Sequence, residues 1–329
     1  MRRFKSFEKE LSKVNESNFD NIALELFRLQ AETNEIYKKY ITFLGVNPVH
    51  VTQLSKIPFL PISFFKEHEI SSGEWKEEKV FLSSTTTGMK PSKHKVISID
   101  SYLKNTISIF NQFYGSPEGY HFFALLPSYL ERSGSSLIEM VKNFIFVSGS
   151  SLSSFYLDNI EELKANIQLA KDNSRRVMLW GVTYALMDLA EEADLDLSDC
   201  IVIETGGMKG RREEMTREEL HSYLCARFNC QAIHSEYGMT ELFSQAYSKG
   251  RGYFNTPYGM KIIIRDINDP FGTVETGKTG GINVIDLANI YTCAFVETQD
   301  LGRIWQDGSF EVLGRIDNSD IRGCNLLVG

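Results

Sequence analysis

The chain has 329 residues, 42% of them hydrophobic and 24% charged, with a formal net charge of −8. That balance belongs to a globular protein with ample core, and the net acidity argues against nonspecific binding to nucleic acid or anionic lipid. The opening MRRFKSFEKELSKV lacks the apolar stretch of a secretory signal, and no apolar run is long enough to span a bilayer. Five cysteines, Cys200, Cys225, Cys230, Cys293 and Cys324, form no C-x-x-C pair. A zinc site or disulfide framework is therefore not expected, and free thiols point to a cytoplasmic setting.

The spacing of Ile22, Leu24, Leu26, Phe27, Leu29 and Ile36 predicts helix between Phe19 and Phe43, with Ser17 or Asn18 as the cap. Pro58 and Pro61 make IPFLPISFFKEHEI extended. From Val80 strands and helices alternate. KVFLSS, HFFALL, RRVMLWGV, CIVIETGG and QAIHSEYG read as strands. Helices are expected at SIDSYLKNTISIFNQFYG, capped near Asp100; at SSLIEMVKNFIFVSG; at IEELKANIQLAKDN, with Asp158 at its start; and at TYALMDLAEEA. TREELHSYLCARF carries a capping box, Thr216 with Glu219. Such alternation implies a largely parallel α/β sheet buried on both faces. After Gly250, KIIIRDIN, GINVIDLAN, CAFVETQDLGRIW and GSFEVLGRI are strands divided by turn residues. The expected organisation is a helical region over 1–60, an α/β nucleotide- and acyl-binding body over 61–250 and a smaller β-rich subdomain over 251–329.

Three stretches carry candidate chemistry. FLSSTTTGMKPSKHKV runs from a strand into a hydroxyl-rich loop, Ser83, Ser84, Thr85, Thr86, Thr87 and Gly88, followed by Lys90, Lys93, His94 and Lys95. Hydroxyls and backbone N–H groups in such a loop can hold an anion, and the cations add charge. HSEYGMTELFSQAY places Glu236, Tyr237, Gly238 and Met239 after a strand, with Thr240 and Glu241 opening a helix. The ring beside a glycine suits a planar base, and the carboxylate suits Mg²⁺ between phosphates. His234 alone reads as a structural histidine. In TQDLGRIWQDGSFEVLGRIDNSDIRG, Asp300 can accept from two ribose hydroxyls, and Arg315 can serve the sugar or a phosphate. By composition alone, each stretch is equally a polar surface loop, a plain strand-turn-helix or a hairpin turning at QDG.

Taken in order, the three resemble the signature loops of the adenylate-forming superfamily of acyl-CoA synthetases, luciferase-type enzymes and adenylation domains. The phosphate loop S/T-S-G-T-T-G-x-P-K is similar to Ser83–Gly88 with Pro91, Thr85 standing where the family has glycine. The adenine loop Y-G-x-T-E matches Tyr237 to Glu241, the ribose motif T-G-D-L-G matches Thr298 to Gly302, and the hinge G-R-x-D matches Gly314 to Asp317. The family's upstream glycine pair is matched by Gly206 and Gly207. The resemblance covers about residues 80 to 323. It implies the N-terminal-domain fold of that superfamily, with layered α/β sheets and a smaller β-rich subdomain. With the sequence ending soon after Asp317, a counterpart of the lysine-bearing C-terminal domain of most relatives is not expected.

LLPSYLERSGSSL, ETGGMKGRREEM and RGCNLLV resemble one branch, the acyl-protein synthetases of bacterial luminescence operons. That likeness implies ATP- and Mg²⁺-dependent activation of a fatty acid or other carboxylate to acyl-AMP. The acyl group would then pass to Cys324, and on to a partner such as a fatty-acid reductase. The implied roles are phosphate contacts for Ser83, Ser84, Thr86, Thr87 and Gly88, the adenine pocket for Gly206, Gly207 and Glu236 to Thr240, Mg²⁺ for Glu241, and ribose for Asp300 and Arg315. The alternatives are an acyl- or aryl-CoA ligase of the phenylacetate type and a non-catalytic subunit that binds nucleotide or acyl-AMP.

Overall fold

The computed structural model describes residues 2–84, 90–126, 134–157, 159–192, 194–207, 215–269 and 271–316. They divide into two compact units, Trp75–Pro257 and the pair of segments Met1–Glu74 and Tyr258–Gly329.

In the split unit, three helices, Arg2–Leu11, Phe19–Thr33 and Glu35–Phe43, precede a two-residue strand β1 (Leu60–Pro61). The prolines do not keep the next stretch extended as expected. A single helical turn, Phe64–Glu67, forms three residues beyond Pro61, where its ring no longer constrains the backbone. Ser17 does not cap the second helix. Asn18 occupies the cap position, but its Oδ1 accepts from the Asn15 N–H at 2.8 Å.

Proceeding along the chain, the Trp75–Pro257 unit opens on a hairpin of β2 (Lys79–Leu82) and β3 (Lys93–Val96). A seven-strand sheet follows, made of β4 (Tyr120–Leu125), β5 (Ser154–Tyr156), β6 (Arg176–Val182), β7 (Ile201–Thr205), β8 (Ile233–Tyr237), β9 (Ala246–Ser248) and β10 (Phe254–Asn255). Its order is β5-β4-β6-β7-β8-β9-β10. The first five strands in that order run parallel, and β9 and β10 turn antiparallel. Every residue of β4 and β7 is buried, as the unbroken apolar runs require of strands covered on both faces. Phe110, from helix Ile99–Tyr114, and Phe144, from helix Ser136–Ser148, pack on Phe122 and Trp180. Leu186, from helix Thr183–Glu192, fills the space above Gly181 that a Cβ would need. The capping box of helix Arg217–Phe228 forms with both its hydrogen bonds. Helix Ile99–Tyr114 is capped by Ser98 rather than at Asp100, and Asp158 lies outside the described residues.

The split unit resumes with an antiparallel sheet of β11 (Met260–Arg265), β12 (Gly280–Asp286), β13 (Phe295–Ile304) and β14 (Phe310–Arg315). Strand β1 adds parallel to the start of β13, pairing Leu60 with Val296. Phe27, Tyr37 and Phe59 gather around Phe295 at centroid distances of 5.7, 6.2 and 6.3 Å. Buried amides join the chain's early and late segments. Gln30 Nε2 donates to the carbonyl of Asn289 at 2.8 Å, Gln30 Oε1 accepts from the Ala294 N–H at 2.9 Å, and Asn34 Nδ2 donates to the Thr292 carbonyl at 3.0 Å. Fully paired buried amides of this kind fix one register, because any slip strands them without partners.

Candidate functional site

In the Trp75–Pro257 unit, the parallel strands β7 and β8 end side by side, paired through Glu204 and Ser235. Their carboxyl ends lead into Gly206–Gly207 and into Tyr237–Glu241. Turns at the carboxyl ends of parallel strands are where open α/β sheets hold ligands. Gly206 has φ +74°, a conformation that favours glycine, and a Cβ at Gly207 would meet nothing within 4 Å. The backbone is therefore open there to a flat group.

The residues after Tyr237 do not form the expected helix. Leu242 N–H donates to the Met239 carbonyl at 3.1 Å in a tight turn, and the chain doubles back as β9, antiparallel to β8. Two anchors hold this turn. His94 Nδ1 lies 2.7 Å from the Thr240 carbonyl, and the ring stacks on Phe243 at 4.3 Å. From the other side, Asn105 Nδ2 donates to the Phe243 carbonyl at 3.0 Å. His94 belongs to β3, so the stem of the hydroxyl-rich hairpin is tied directly to the Tyr237–Glu241 turn.

This corrects the reading of His94 as one of the loop's cations. It is fully buried, and burial lowers its pKa to about 4 against the opposing pull of its bond to Thr240. It is neutral near pH 7 and acts as a tie. The signal was in the alternation of β3, where His94 and Val96 point inward and Lys93 outward. His234 fits its structural reading: burial lowers its pKa to about 4, and Nδ1 pairs with Tyr114 Oη at 3.1 Å.

Ser83 uses its hydroxyl within the hairpin, accepting from the Ser92 N–H at 2.8 Å, while Ser84 is exposed. Thr85, Thr86, Thr87 and Gly88 lie outside the described residues, as do Asp317 and Cys324. Tyr237 is buried, edge-on to Phe254 at 6.0 Å, and Glu241, four residues further on, is buried as well. Among the described residues no group of three His, Cys, Asp or Glu side chains gathers as a metal site.

Two further carboxylates flank the strand ends. Glu236 accepts a hydrogen bond from Thr205 Oγ1, and its other oxygen lies over Gly238. Burial pushes its pKa up to about 7, Thr205 opposes that, and the charge of Glu204 adds to it. Glu204, on the other face of the sheet, is buried with its Oε1 3.4 Å from Arg217 Nε and 3.6 Å from His221 Nε2. Burial would raise its pKa, but the His221 hydrogen bond and the Arg217 and His221 charges outweigh it and hold the carboxyl below its ordinary range. Sequence reading missed this cluster. Its only trace is a glutamate inside the apolar run of β7.

In the split unit, Asp300 and Arg315 are direct cross-strand partners on β13 and β14, with Arg315 Nε 3.7 Å from Asp300 Oδ1. Asp300 N–H donates to Thr298 Oγ1 at 3.1 Å. Arg265, a buried arginine not singled out in the sequence, donates to the Thr298 carbonyl at 2.9 Å and lies 3.6 Å from Glu297. Its position at the inward-facing end of KIIIR was the available signal.

No family model matches the chain, and no curated protein sequence does. Solved structures do. An open conformation of 2-hydroxyisobutyryl-CoA ligase, in complex with 2-HIB-AMP and CoA, aligns with a TM-score of 0.65 at 12% identity, over 93% of this chain and 72% of that one. ATP-bound MatB from Rhodopseudomonas palustris aligns with a TM-score of 0.53 at 18% identity, over 72% of this chain and 47% of that one. The chain spans about half the length of the MatB structures it matches. It has the α/β fold of adenylate-forming ligases, as its ordered motifs imply. Among the described residues no helix is long and apolar enough to cross a membrane.

Proposed function

We propose that the chain activates a carboxylic acid as its acyl-adenylate at the expense of ATP. The observation that supports this most is the tie between two motifs far apart in sequence: His94, at the stem of the hydroxyl-rich hairpin, bonds Thr240 in the Tyr237–Glu241 turn. A phosphate-holding loop and an adenine-holding turn must meet if they serve one nucleotide. The open backbone at Gly207 fits a base beside them.

In this reading Ser83, Ser84, Thr86, Thr87 and Gly88 hold the β- and γ-phosphates. Gly206, Gly207, Glu236, Tyr237, Gly238, Met239 and Thr240 form the adenine pocket. Asp300 and Arg315 are assigned to the ribose from the motif order. Glu241 holds Mg²⁺, which when bound neutralises phosphate charge. The substrate carboxylate attacks the α-phosphorus and pyrophosphate leaves. Two anions must meet, so the protein's contribution is mainly positioning and charge neutralisation.

The finer reading is a long-chain-fatty-acid–protein ligase. Cys324 thiolate attacks the acyl carbonyl, AMP leaves, and the thioester is handed to a partner protein such as a fatty-acid reductase. Carboxylate-dependent pyrophosphate exchange tests the first step. Labelled acid that survives denaturation, is released by hydroxylamine and disappears in Cys324→Ser tests the second. A second reading is favoured by the ligase solved with CoA: the acyl group goes to CoA. CoA-dependent AMP release with no protein-bound acyl group would select it.

A further inference from the structure

The interior of the Trp75–Pro257 unit holds polar atoms that its own described residues do not satisfy. Gln245 is 4% exposed; its Nε2 donates to the Phe243 carbonyl at 3.3 Å, and its Oε1 has no donor. Asn105, fixing Phe243 and Ser244 from the neighbouring helix, keeps this segment in place. Glu236 engages Thr205 through Oε2 and directs Oε1 over Gly238. The Gln245 side chain comes to the same place, its Cγ 3.2 Å from where a Cβ at Gly238 would lie. Two polar side chains thus pack above one glycine, Glu236 through a carboxylate oxygen and Gln245 through its Cγ.

Across the sheet from Glu236 sits Tyr247, its register partner on β9. Tyr247 Oη and Trp180 Nε1 are buried with no acceptor among the described residues, and the two rings meet edge-on at 6.1 Å. A buried polar atom without a partner costs about 1–3 kcal/mol, so several on one sheet face are seldom left to apolar surroundings. A bare hydrocarbon chain laid there would leave them all unsatisfied.

From this convergence we propose that Glu236 and Gln245 read a hydrogen-bond donor, a hydroxyl or amino group, carried by the acid substrate. The inference rests on the adenylate-forming step above, moves Glu236 from the adenine pocket to the acid, and stands against the finer fatty-acid reading: the substrate is a polar-substituted carboxylic acid rather than an unsubstituted fatty acid. The carboxylate of Glu236 and the amide oxygen of Gln245 are the acceptors offered to that donor. A nucleotide amino group offers the same donor chemistry, so the test must tell the two apart.

The experiment is pyrophosphate exchange with matched short acids, unsubstituted, hydroxy-substituted and amino-substituted, with a long saturated fatty acid alongside. Wild type should prefer one of the substituted acids by about tenfold or more, the worth of a hydrogen bond to a charged group. Glu236→Gln and Gln245→Leu should each bring that ratio down toward one. Thermal melts identify a variant that fails to fold, and Glu236→Gln, which keeps the shape, then decides. Equal or better exchange with unsubstituted acids, or a ratio unmoved in a folded variant, overturns the proposal. It is also overturned if the variants change discrimination between ATP and inosine triphosphate, which lacks the base's amino group, but not between acids. Exchange with no acid at all would remove the adenylate-forming reading and this inference with it.

Discussion

Glu236 occupies the space that a side chain at Gly238 would need: a Cβ there would collide with Glu236 Oε1 and crowd Gln245 Cγ at 3.2 Å. Gly238 is therefore a packing requirement of the carboxylate as much as part of the Tyr237–Glu241 turn. Gly238→Ala should turn the Glu236 carboxyl aside and cost about 1 kcal/mol, the worth of its hydrogen bond from Thr205 Oγ1. Chemical denaturation measures the loss. Pyrophosphate exchange should fall more than stability does, because the turn is displaced along with the carboxylate. Full exchange in Gly238→Ala would show that Glu236 can yield without disturbing the site.

The same carboxyl gives a pH signature. Its pKa is about 7 in the folded protein against 4.5 for an ordinary glutamate, chiefly through burial and secondarily through the charge of Glu204. Between these values the folded chain keeps a proton that the unfolded chain has lost. Its contribution to stability is therefore complete at lower pH and is lost as pH rises through about 7. Glu236→Gln removes this dependence. Relative to wild type the variant should gain stability at about pH 8 and gain nothing at about pH 4. Parallel melting curves for the two proteins across that range would show Glu236 ionising like a surface glutamate.

Glu204 behaves oppositely. It is held ionised by Arg217 and His221 despite burial. Removing one member of a buried ion pair leaves an uncompensated charge, and Arg217 is itself only 28% exposed. Arg217→Met should cost about 3 kcal/mol in urea unfolding, and Glu204→Gln in the same chain should recover much of it. If the two losses simply add, the residues are not coupled and the geometry overstates the pair.

These predictions show where the sequence was readable. Strands β4, β6 and β7 announced themselves as unbroken apolar runs, because strands covered on both faces need no alternation. The Thr216–Glu219 capping box was equally local, and it formed. The turn at Met239–Leu242 was not legible. Thr240 and Glu241 look like a helix start, but β9 is three residues long and is defined by pairing to β8, a contact that composition does not display. His94 was misread for a related reason: a histidine within a run of lysines looks solvated until strand alternation turns it inward. The amide bonds from Gln30 and Asn34 span more than 250 positions, beyond any local pattern. Of the candidate site, the sequence offered Gly206, Gly207 and Tyr237 to Glu241 by motif, while the ties that His94 and Asn105 make to residues 240–244 emerged only from packing.

Asp300 offers the cleanest separation of binding from folding. Its partner Arg315 has a side chain that is 70% exposed, so that pair contributes about 0–1 kcal/mol to stability, while the Asp300 side chain is itself only 16% exposed and its charge also favours the buried Arg265 guanidinium. Asp300→Asn keeps the shape of the side chain and leaves the backbone bond to Thr298 intact, so urea unfolding of the variant measures the stability lost separately from the affinity lost. If Asp300 accepts hydrogen bonds from the nucleotide's ribose, the variant loses charge-assisted bonds worth about 1.5–3 kcal/mol, which is roughly a 10- to 150-fold weaker affinity for ATP. Calorimetric titration of the two proteins reads that difference directly. A folded Asp300→Asn protein that binds ATP as tightly as wild type would remove Asp300 from the nucleotide site and leave the Asp300–Arg315 pair as an ordinary cross-strand contact of a hairpin.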